Sequence, residues 1–171
     1  MASLMEELLD VLSEEEIAFK QLLGIVSRKT QIIVQNDIVA LQQITDEEQD
    51  VMNHIGGLDK KRETVTRDIA DVINKDVETL KLSMLADLLK NQPKERDRLN
   101  TLIDGLTTTV GQIRRINEQN SLLIRHSLEM VDFDMNLIKA MKQAPQTANY
   151  GRSAMNTGGT LGTVGGFDAK Q

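Results

Sequence analysis

Two histidines and two acidic runs are the residues of this chain whose types could support metal or acid–base chemistry. Zinc sites on helices pair two histidines about one turn apart, but His54 and His126 are far apart in sequence and have no second histidine or cysteine nearby. Di-iron bundles need a Glu-x-x-His pair on each of two helices, and the chain contains none. We therefore interpret the acidic runs at residues 14–16 and 46–48 as solvated helix faces, and we expect no metal site.

The glycine pairs and the cysteine content exclude other site chemistries. Gly158-Gly159 and Gly165-Gly166 are not followed by the Lys-Ser/Thr of a phosphate-binding loop. The chain has no cysteine, which excludes disulfides, thiolate metal sites and a cysteine nucleophile. We therefore expect no catalytic residue, no enzyme activity and no cofactor.

Charge and hydropathy restrict the partners and the location. The net charge of −6 argues against nucleic acid and against anionic membranes, since both are recognised by clustered Lys and Arg. The first residues lack the basic region and apolar run of a secretory signal. No segment approaches the roughly 20 apolar residues that span a bilayer. We expect a cytoplasmic protein that does not insert into membranes.

Hydrophobic spacing predicts an all-α fold. Apolar residues recur every three or four positions, and the composition is 40% hydrophobic but only 2% aromatic, which suits the aliphatic core of a helix bundle. We expect an elongated antiparallel helical bundle or coiled coil of three long helices plus a short one, over residues 4–34, 37–72, 80–89 and 93–141. Residues 1–143 would form the helical domain, and residues 144–171 a flexible, Gly-rich tail.

Particular residues mark where these helices begin. Asn36 is predicted to cap the second helix, and Asp76 or Thr79 the short one. Pro93 is predicted to be the first residue of the last helix. The second helix carries a heptad seam that two charged residues, Glu48 and Arg62, interrupt.

The last helix carries more apolar residues than one helix pairing requires. Its seam alternates steps of three and four along Leu99, Ile103, Leu106, Val110, Ile113, Asn117, Asn120, Ile124, Ser127, Val131, Asp134, Ile138 and Met141. A second row lies beside it at Leu102, Thr109, Ile116, Leu123, Met130 and Leu137. The combined stripe predicts two neighbouring helices, or one neighbour and a partner.

The polar residues of this seam have two interpretations. Buried Asn117 and Asn120 would fix the register and the number of packed helices. Alternatively, Asn117, Asn120, Ser127 and Asp134 mark a partly wet binding face, on which aliphatic anchors are mixed with hydrogen-bonding groups. The sequence leaves both interpretations open.

Several segments resemble the FlgN family of flagellar export chaperones. Residues 117–124 (NEQNSLLI) and 127–133 (SLEMVDF), followed by a proline and then by residues 149–151 (NYG), are similar to the C-terminal signature of the family. Residues 36–45 (NDIVALQQIT) resemble its break between the first two helices. The resemblance covers roughly residues 4–152.

The resemblance implies a cytoplasmic chaperone that binds the C-terminal helices of the hook-filament junction proteins FlgK and FlgL, prevents premature assembly and delivers them to the export gate. It places the client-binding face at Leu123, Ile124, Ser127, Val131, Met135 and Ile138. Neighbouring stripe residues complete the predicted set: Ile116, Asn117, Asn120, Met130, Leu137 and Met141. Tyr150 and Gly151 would contact the export gate.

A structural coiled-coil adaptor or oligomerisation module is the alternative function. In that case the seam would be used for self-association, for example in a homodimer. Replacing Ile124 or Val131 with Ala separates the two hypotheses, because a core residue would cost about 1–4 kcal/mol of folding stability. A residue on a client-binding face would lower the affinity for the client instead.

Overall fold

A computed structural model of the protein describes residues 2–143, all of whose regular elements are helical. The predicted flexible tail, with Tyr150 and Gly151, lies outside the described residues. The boundary predicted between residues 143 and 144 therefore stays a prediction. The helices are α1 (Ala2–Val34), α2 (Ile38–Ile73), a short 3-10 helix (Val77–Thr79), α3 (Leu82–Leu88) and α4 (Pro93–Gln143).

The turn between α1 and α2 differs by one residue from the prediction. Asp37, rather than Asn36, caps α2, and its Oδ1 accepts a hydrogen bond of 3.0 Å from the backbone amide of Ala40. Asn36 instead adopts a positive φ of 54°, a conformation that asparagine tolerates better than most residues. Asp37 thus caps α2, whereas Asn36 supplies the positive φ of the turn.

The segment between α2 and α4 forms two short elements rather than the single helix predicted. The Asp76 side chain caps the 3-10 helix by accepting a 3.1 Å hydrogen bond from the Glu78 amide. The chain is extended at Lys81, and α3 begins at Leu82 without a side-chain cap. Pro93 is the first residue of α4, as predicted.

The chain divides into two compact units, Met1–Met130 and Val131–Gln171. In the first unit α2 runs antiparallel to α1, since Arg62 pairs with Glu15 and Arg28 with Glu47. The part of α4 in this unit runs parallel to α1, since Arg98 pairs with Asp10 and Asn120 with Thr30. The three long helices therefore alternate in direction, which confirms the predicted antiparallel bundle.

The core of the first unit is aliphatic, as the composition predicts. Its main cluster joins α1, α2, α3 and the first turns of α4 through the buried residues Met5, Leu8, Leu9, Leu12, Val65, Ile69, Ala70, Leu80, Leu85, Ala86, Leu89, Leu99 and Leu102. A smaller cluster contains Leu22, Val26 and Ile113, with Phe19 and Ile116 packed against it. Both clusters draw residues from α1 and α4, so α4 is part of the bundle core up to this point.

In the second unit the structure describes residues 131–143, which form the last part of α4. Every one of these residues is exposed. None of the helices within residues 2–143 combines the length and the apolarity needed to cross a membrane.

Candidate partner-binding surface

Burial along α4 changes sharply with position. In the first unit Leu99, Leu102 and Ile113 are buried. From residue 121 onward no described residue is buried. The large apolar residues that α4 exposes are Leu122, Ile124, Leu128 and Met130 in the first unit, and Val131, Phe133, Met135, Leu137, Ile138 and Met141 in the second. Exposed apolar residues at this density along a helix are typical of an interaction surface.

Asn120 is the last buried residue of α4, with 3% of its surface exposed. Its side-chain Nδ2 donates a hydrogen bond of 3.0 Å to the carbonyl of Val26, and its Oδ1 accepts one of 2.7 Å from the Thr30 hydroxyl. Both partners belong to α1, so these bonds hold α4 to α1 at a defined register. These contacts favour the register-fixing interpretation of Asn120.

The length of α1 explains why two of the exposed residues of the first unit, Leu128 and Met130, have no neighbour from that helix. Asp10 pairs with Arg98 and Thr30 with Asn120, and consecutive residues rise equally in both helices. At this register Val34, the last residue of α1, lies level with about residue 124 of α4. Leu128 and Met130 therefore lie beyond the reach of α1.

An open groove runs along α4 in the first unit just before these residues. It has a volume of about 670 Å³ and is lined by Val110, Ile113, Arg114, Asn117, Glu118, Ser121, Leu122 and Arg125. Three of these residues are apolar, and the charged ones are two arginines and Glu118. Asn117 is exposed in this groove, in contrast to Asn120.

Among residues 2–143, the most deeply buried ion pairs lie between α1 and α2. Glu15 is only 4% exposed, so the prediction that residues 14–16 form a solvated face is wrong at this position. Its Oε1 accepts a hydrogen bond of 2.9 Å from Nε of Arg62, which also pairs with Asp59. Arg62, one of the two charged residues that interrupt the seam of α2, thus forms an ion pair with α1. The other, Glu48, pairs with Lys29 of α1.

Burial dominates the ionisation of Glu15. Desolvation raises the pKa of its carboxyl, and the hydrogen bond and charge of Arg62 offset only part of that effect. Burial lowers the pKa of the Arg62 guanidinium, but Glu15 and Asp59 outweigh burial and raise it above its ordinary value. This pair is a structural contact of the bundle. Within residues 2–143 no three histidine or acidic side chains are close enough to hold a metal ion.

The predicted client-binding residues fall into three groups by exposure. Asn120 is buried; Ile116, Leu123 and Ser127 are half-buried; and Asn117, Ile124, Met130, Val131, Met135, Leu137, Ile138 and Met141 are exposed. Ile116 also packs against the smaller core cluster. Their role in client binding stays a prediction.

Three exposed apolar residues of α4 were missed at the sequence level: Leu122, Leu128 and Phe133. They lie off the heptad seam, so seam spacing does not select them. Their signal is their size, since large apolar residues on the predicted polar side of a helix have no intramolecular explanation.

An all-helical bundle with uncovered apolar residues on one long helix is typical of proteins that bind a partner protein. Residues 1–158 match the family described as FlgN protein. The chain therefore belongs to the FlgN family, a family of flagellar export chaperones whose clients are hook-associated proteins. Neither the curated proteins nor the solved structures contain a match to it.

Proposed function

We propose that this chaperone binds the C-terminal helical segments of the hook-associated proteins FlgK and FlgL through the exposed apolar residues of α4. The observation that carries the proposal is the loss of burial along this helix after Asn120. A client segment that normally packs inside a polymer exposes an apolar stripe when it is alone. Burying that stripe against α4 would keep the client from assembling before export.

The energetics fit reversible binding. Fully burying a large aliphatic side chain gains about 1.5–3 kcal/mol, and the exposed residues of α4 are already about half covered, for example Ile138 at 48% exposure. Each residue would therefore add about 1 kcal/mol, and the apolar side chains of the client that become buried against them would add a comparable amount. Micromolar binding needs about 8 kcal/mol in addition to the costs of association. Most of the exposed apolar residues must take part, and no single one dominates.

The contacts within the chain refine which predicted residues would touch the client. Leu123, Ile124, Ser127 and the exposed residues that follow remain in the proposed set. Asn120 and Ile116 are engaged with α1 and the core, so we propose that they define where the client-binding residues begin. Release would follow from competition at the export gate and would need no nucleotide.

The proposed task also implies a location. A chaperone that holds its client before export acts in the cytoplasm, where we place this protein. Contact with the export gate is proposed for Tyr150 and Gly151, on the resemblance of residues 149–151 to the family signature. These residues lie outside residues 2–143.

Calorimetry and size-exclusion chromatography test client binding. The purified chain is mixed with the C-terminal segment of FlgK or FlgL, and we expect a complex of defined stoichiometry. Val131→Ala should weaken it about fivefold or more. The adjacent Asp132→Ala is the matched control and should leave the affinity unchanged. Absence of a complex with both segments, or equal effects of the two substitutions, would contradict the proposal.

Secretion assays test the proposed export-gate contact separately. Removing residues 144–171 should leave client binding intact in calorimetry but reduce secretion of the client, and Tyr150→Ala should reproduce part of that loss. The gate contact is refuted if the truncated chaperone supports normal secretion. Client binding by α4 would stand in that case.

A further inference from the structure

Four exposed charged residues follow one line along α4 in the first unit. They are Arg114, Glu118, Arg125 and Glu129, and together they are called the charged line. Because successive residues of a helix are rotated by about 100°, the four positions fall within an arc of about 60°. Asn120, which bonds to α1, lies about 150° around the helix from the middle of this arc. The charged line therefore faces away from α1.

Most of the charged line has no ionic partner within the chain. Arg114, Glu118 and Arg125 line the open groove of the first unit, and within residues 2–143 none of the three forms an ion pair. Oε2 of Glu129 lies 3.4 Å from Nδ1 of His126 on the same helix, and both side chains are exposed. These charges are thus accessible to a second molecule.

The order of the charges in this line is self-complementary. Their signs alternate, and their spacings of four, seven and four residues are the same when read from either end. Two copies of the line can run antiparallel around a two-fold axis that passes between residues 121 and 122. Arg114 then lies level with Glu129 of the other copy, and Glu118 lies level with Arg125. Every arginine meets a glutamate, and each pair occurs twice.

Other pairings of the charged line place like charges together. Moving one copy by a heptad brings Glu118 level with Glu118 of the other copy, or Arg125 level with the second Arg125, depending on the direction. A parallel pairing in register opposes like charges at all four positions. Because like charges oppose association, the charged line selects one orientation and one register. In that register Arg115 and His126, the other basic residues between positions 110 and 130, lie level with uncharged residues.

The acidic residues of α2 at the same level do not oppose this contact. Glu47 and Glu48 form ion pairs with α1, and Asp50 lines a groove between α1 and α2. Asp46 lies about 160° around α2 from the buried Ile44, on the outer side of the bundle. The charges that a second copy would meet are therefore those of the charged line.

An exposed leucine lies at the centre of the arrangement. Leu122 is 52% exposed and lies about 20° beyond Glu129 around the helix, next to the charged line. The two-fold axis brings the Leu122 side chains of both copies to the same flank of the contact, level to within one residue. Leu122 lies off the heptad seam, so this contact supplies a neighbour that the seam does not.

We infer that residues 114–129 of α4 form an antiparallel, two-fold symmetric contact with a second copy of this chain. The inference goes beyond the proposed function and does not depend on it. Exposed ion pairs contribute little each and are screened by salt, and charge complementarity sets orientation and register more than affinity. The dimer is therefore weak and dissociates at high salt.

Charge reversal in the full chain tests this contact by sedimentation velocity. The wild type should dimerise at low salt, and about 0.5 M NaCl should raise the Kd fivefold or more. Arg125→Glu and Glu118→Arg should each weaken the dimer about tenfold or more, although they change the net charge in opposite directions. Arg67→Glu is the matched control, because it reverses an exposed arginine in the half of α2 that is distant from this contact.

Mixing the two single variants tests whether the pairs form between molecules. The Arg125→Glu copy then carries two acidic residues at positions 118 and 125, and the Glu118→Arg copy carries two basic ones. The mixture should form a dimer with about the wild-type affinity, although each variant alone does not. Rescue of this kind cannot arise from a contact within one chain. Circular dichroism establishes beforehand that both variants fold like the wild type.

Introduced cysteines test the register, because the natural chain has none. Ser121→Cys lies next to the two-fold axis, so mild oxidation should give a disulfide-linked dimer. Gln119→Cys is the control, since position 119 lies about 110° around α4 from the middle of the charged line. It should remain monomeric under the same oxidation.

The outcomes separate this inference from the proposed function. A wild type that stays monomeric at low salt and high concentration overturns the inference, as does a mixture of the two variants that stays monomeric. Equally rapid crosslinking of both cysteine variants refutes the register. If the chain is monomeric and Arg125→Glu instead weakens binding of the C-terminal FlgK segment, the groove belongs to the client. That result overturns the inference and leaves the chaperone proposal standing.

Discussion

The two parts of α4 carry the same apolar spacing but differ in what covers them. In the first unit, Leu99 and Ile113 are buried between neighbouring helices, whereas Val131 and Ile138 in the second unit are about half exposed. The seam advances by three and four residues through both parts. Heptad spacing therefore predicts that a helix packs against a neighbour, but it does not specify whether that neighbour belongs to the same chain or to another.

Within the first unit, α4 loses α1 as a neighbour at a defined position. Asn120 bonds to Val26 and Thr30 of α1, and α1 ends at Val34. Before Asn120 the apolar residues of α4 stabilise the fold. After it, according to our proposal, they are available to the client.

Truncating the buried part of α4 should have the largest effect on stability. Leu99 is completely buried in the main core cluster, so Leu99→Ala should lower the free energy of unfolding by about 2–5 kcal/mol through lost burial and the cavity left behind. Urea denaturation measures the change. The control Leu128→Ala, at an exposed position of the same helix, should stay within about 0.5 kcal/mol. Similar losses for both leucines would break the comparison.

Removing the hydrogen bonds between Asn120 and α1 should have an intermediate effect on stability. Asn120→Ala deletes both hydrogen bonds to α1 and leaves a small cavity, so we expect a loss of about 1–3 kcal/mol in the free energy of unfolding. Asn117→Ala is the matched control, because Asn117 is an exposed seam asparagine one turn earlier. If the two variants are equally stable, Asn120 does not hold the register.

The burial of Glu15 should make the stability of the protein depend on pH. We expect this effect to be smaller than those of the two substitutions above. The folded-state pKa of Glu15 is raised by burial, so the folded protein binds more protons than the unfolded chain between the ordinary pKa of this carboxyl, 4.5, and the raised one. The stabilisation that protonated Glu15 contributes is complete below pH 4.5. It is lost as the pH rises through the raised pKa.

Glu15→Gln removes this titration and retains a hydrogen-bond acceptor for Arg62. The free energy of unfolding of the wild type, minus that of the variant, should therefore decline as the pH rises from 4 to 7. A difference for Glu15→Gln that grows with pH would mean that the Arg62 ion pair outweighs the cost of burial.

The sequence predicted most of the fold because its signals are local. Helix limits followed from spacing, from the start at Pro93 and from the polar turn before α2, and the aliphatic core followed from the scarcity of aromatic residues. Choosing between Asn36 and Asp37 as the cap was beyond the sequence, because either side chain can cap a helix and the backbone conformation decides.

What the sequence missed or left open has two physical causes. Glu15 looks like part of a solvated run, yet its burial depends on Arg62, which is distant in sequence. Asn117 and Asn120 occupy equivalent seam positions, but only Asn120 lies where α1 can bond to it. Phe133 and Leu128 escaped the prediction because they lie off the seam. Long-range contacts, which spacing does not encode, decide the cases of Glu15 and Asn120.

The most direct test compares one residue type at two positions of one helix. Ile113 is 7% exposed and Ile138 is 48% exposed. We predict that Ile113→Ala lowers the free energy of unfolding by about 2–5 kcal/mol and leaves the client affinity of the folded protein unchanged. Ile138→Ala should do the reverse, with unchanged stability and client affinity reduced about fivefold or more. The account is contradicted if Ile138→Ala destabilises the chain as much as Ile113→Ala does, or if it leaves client affinity unaltered.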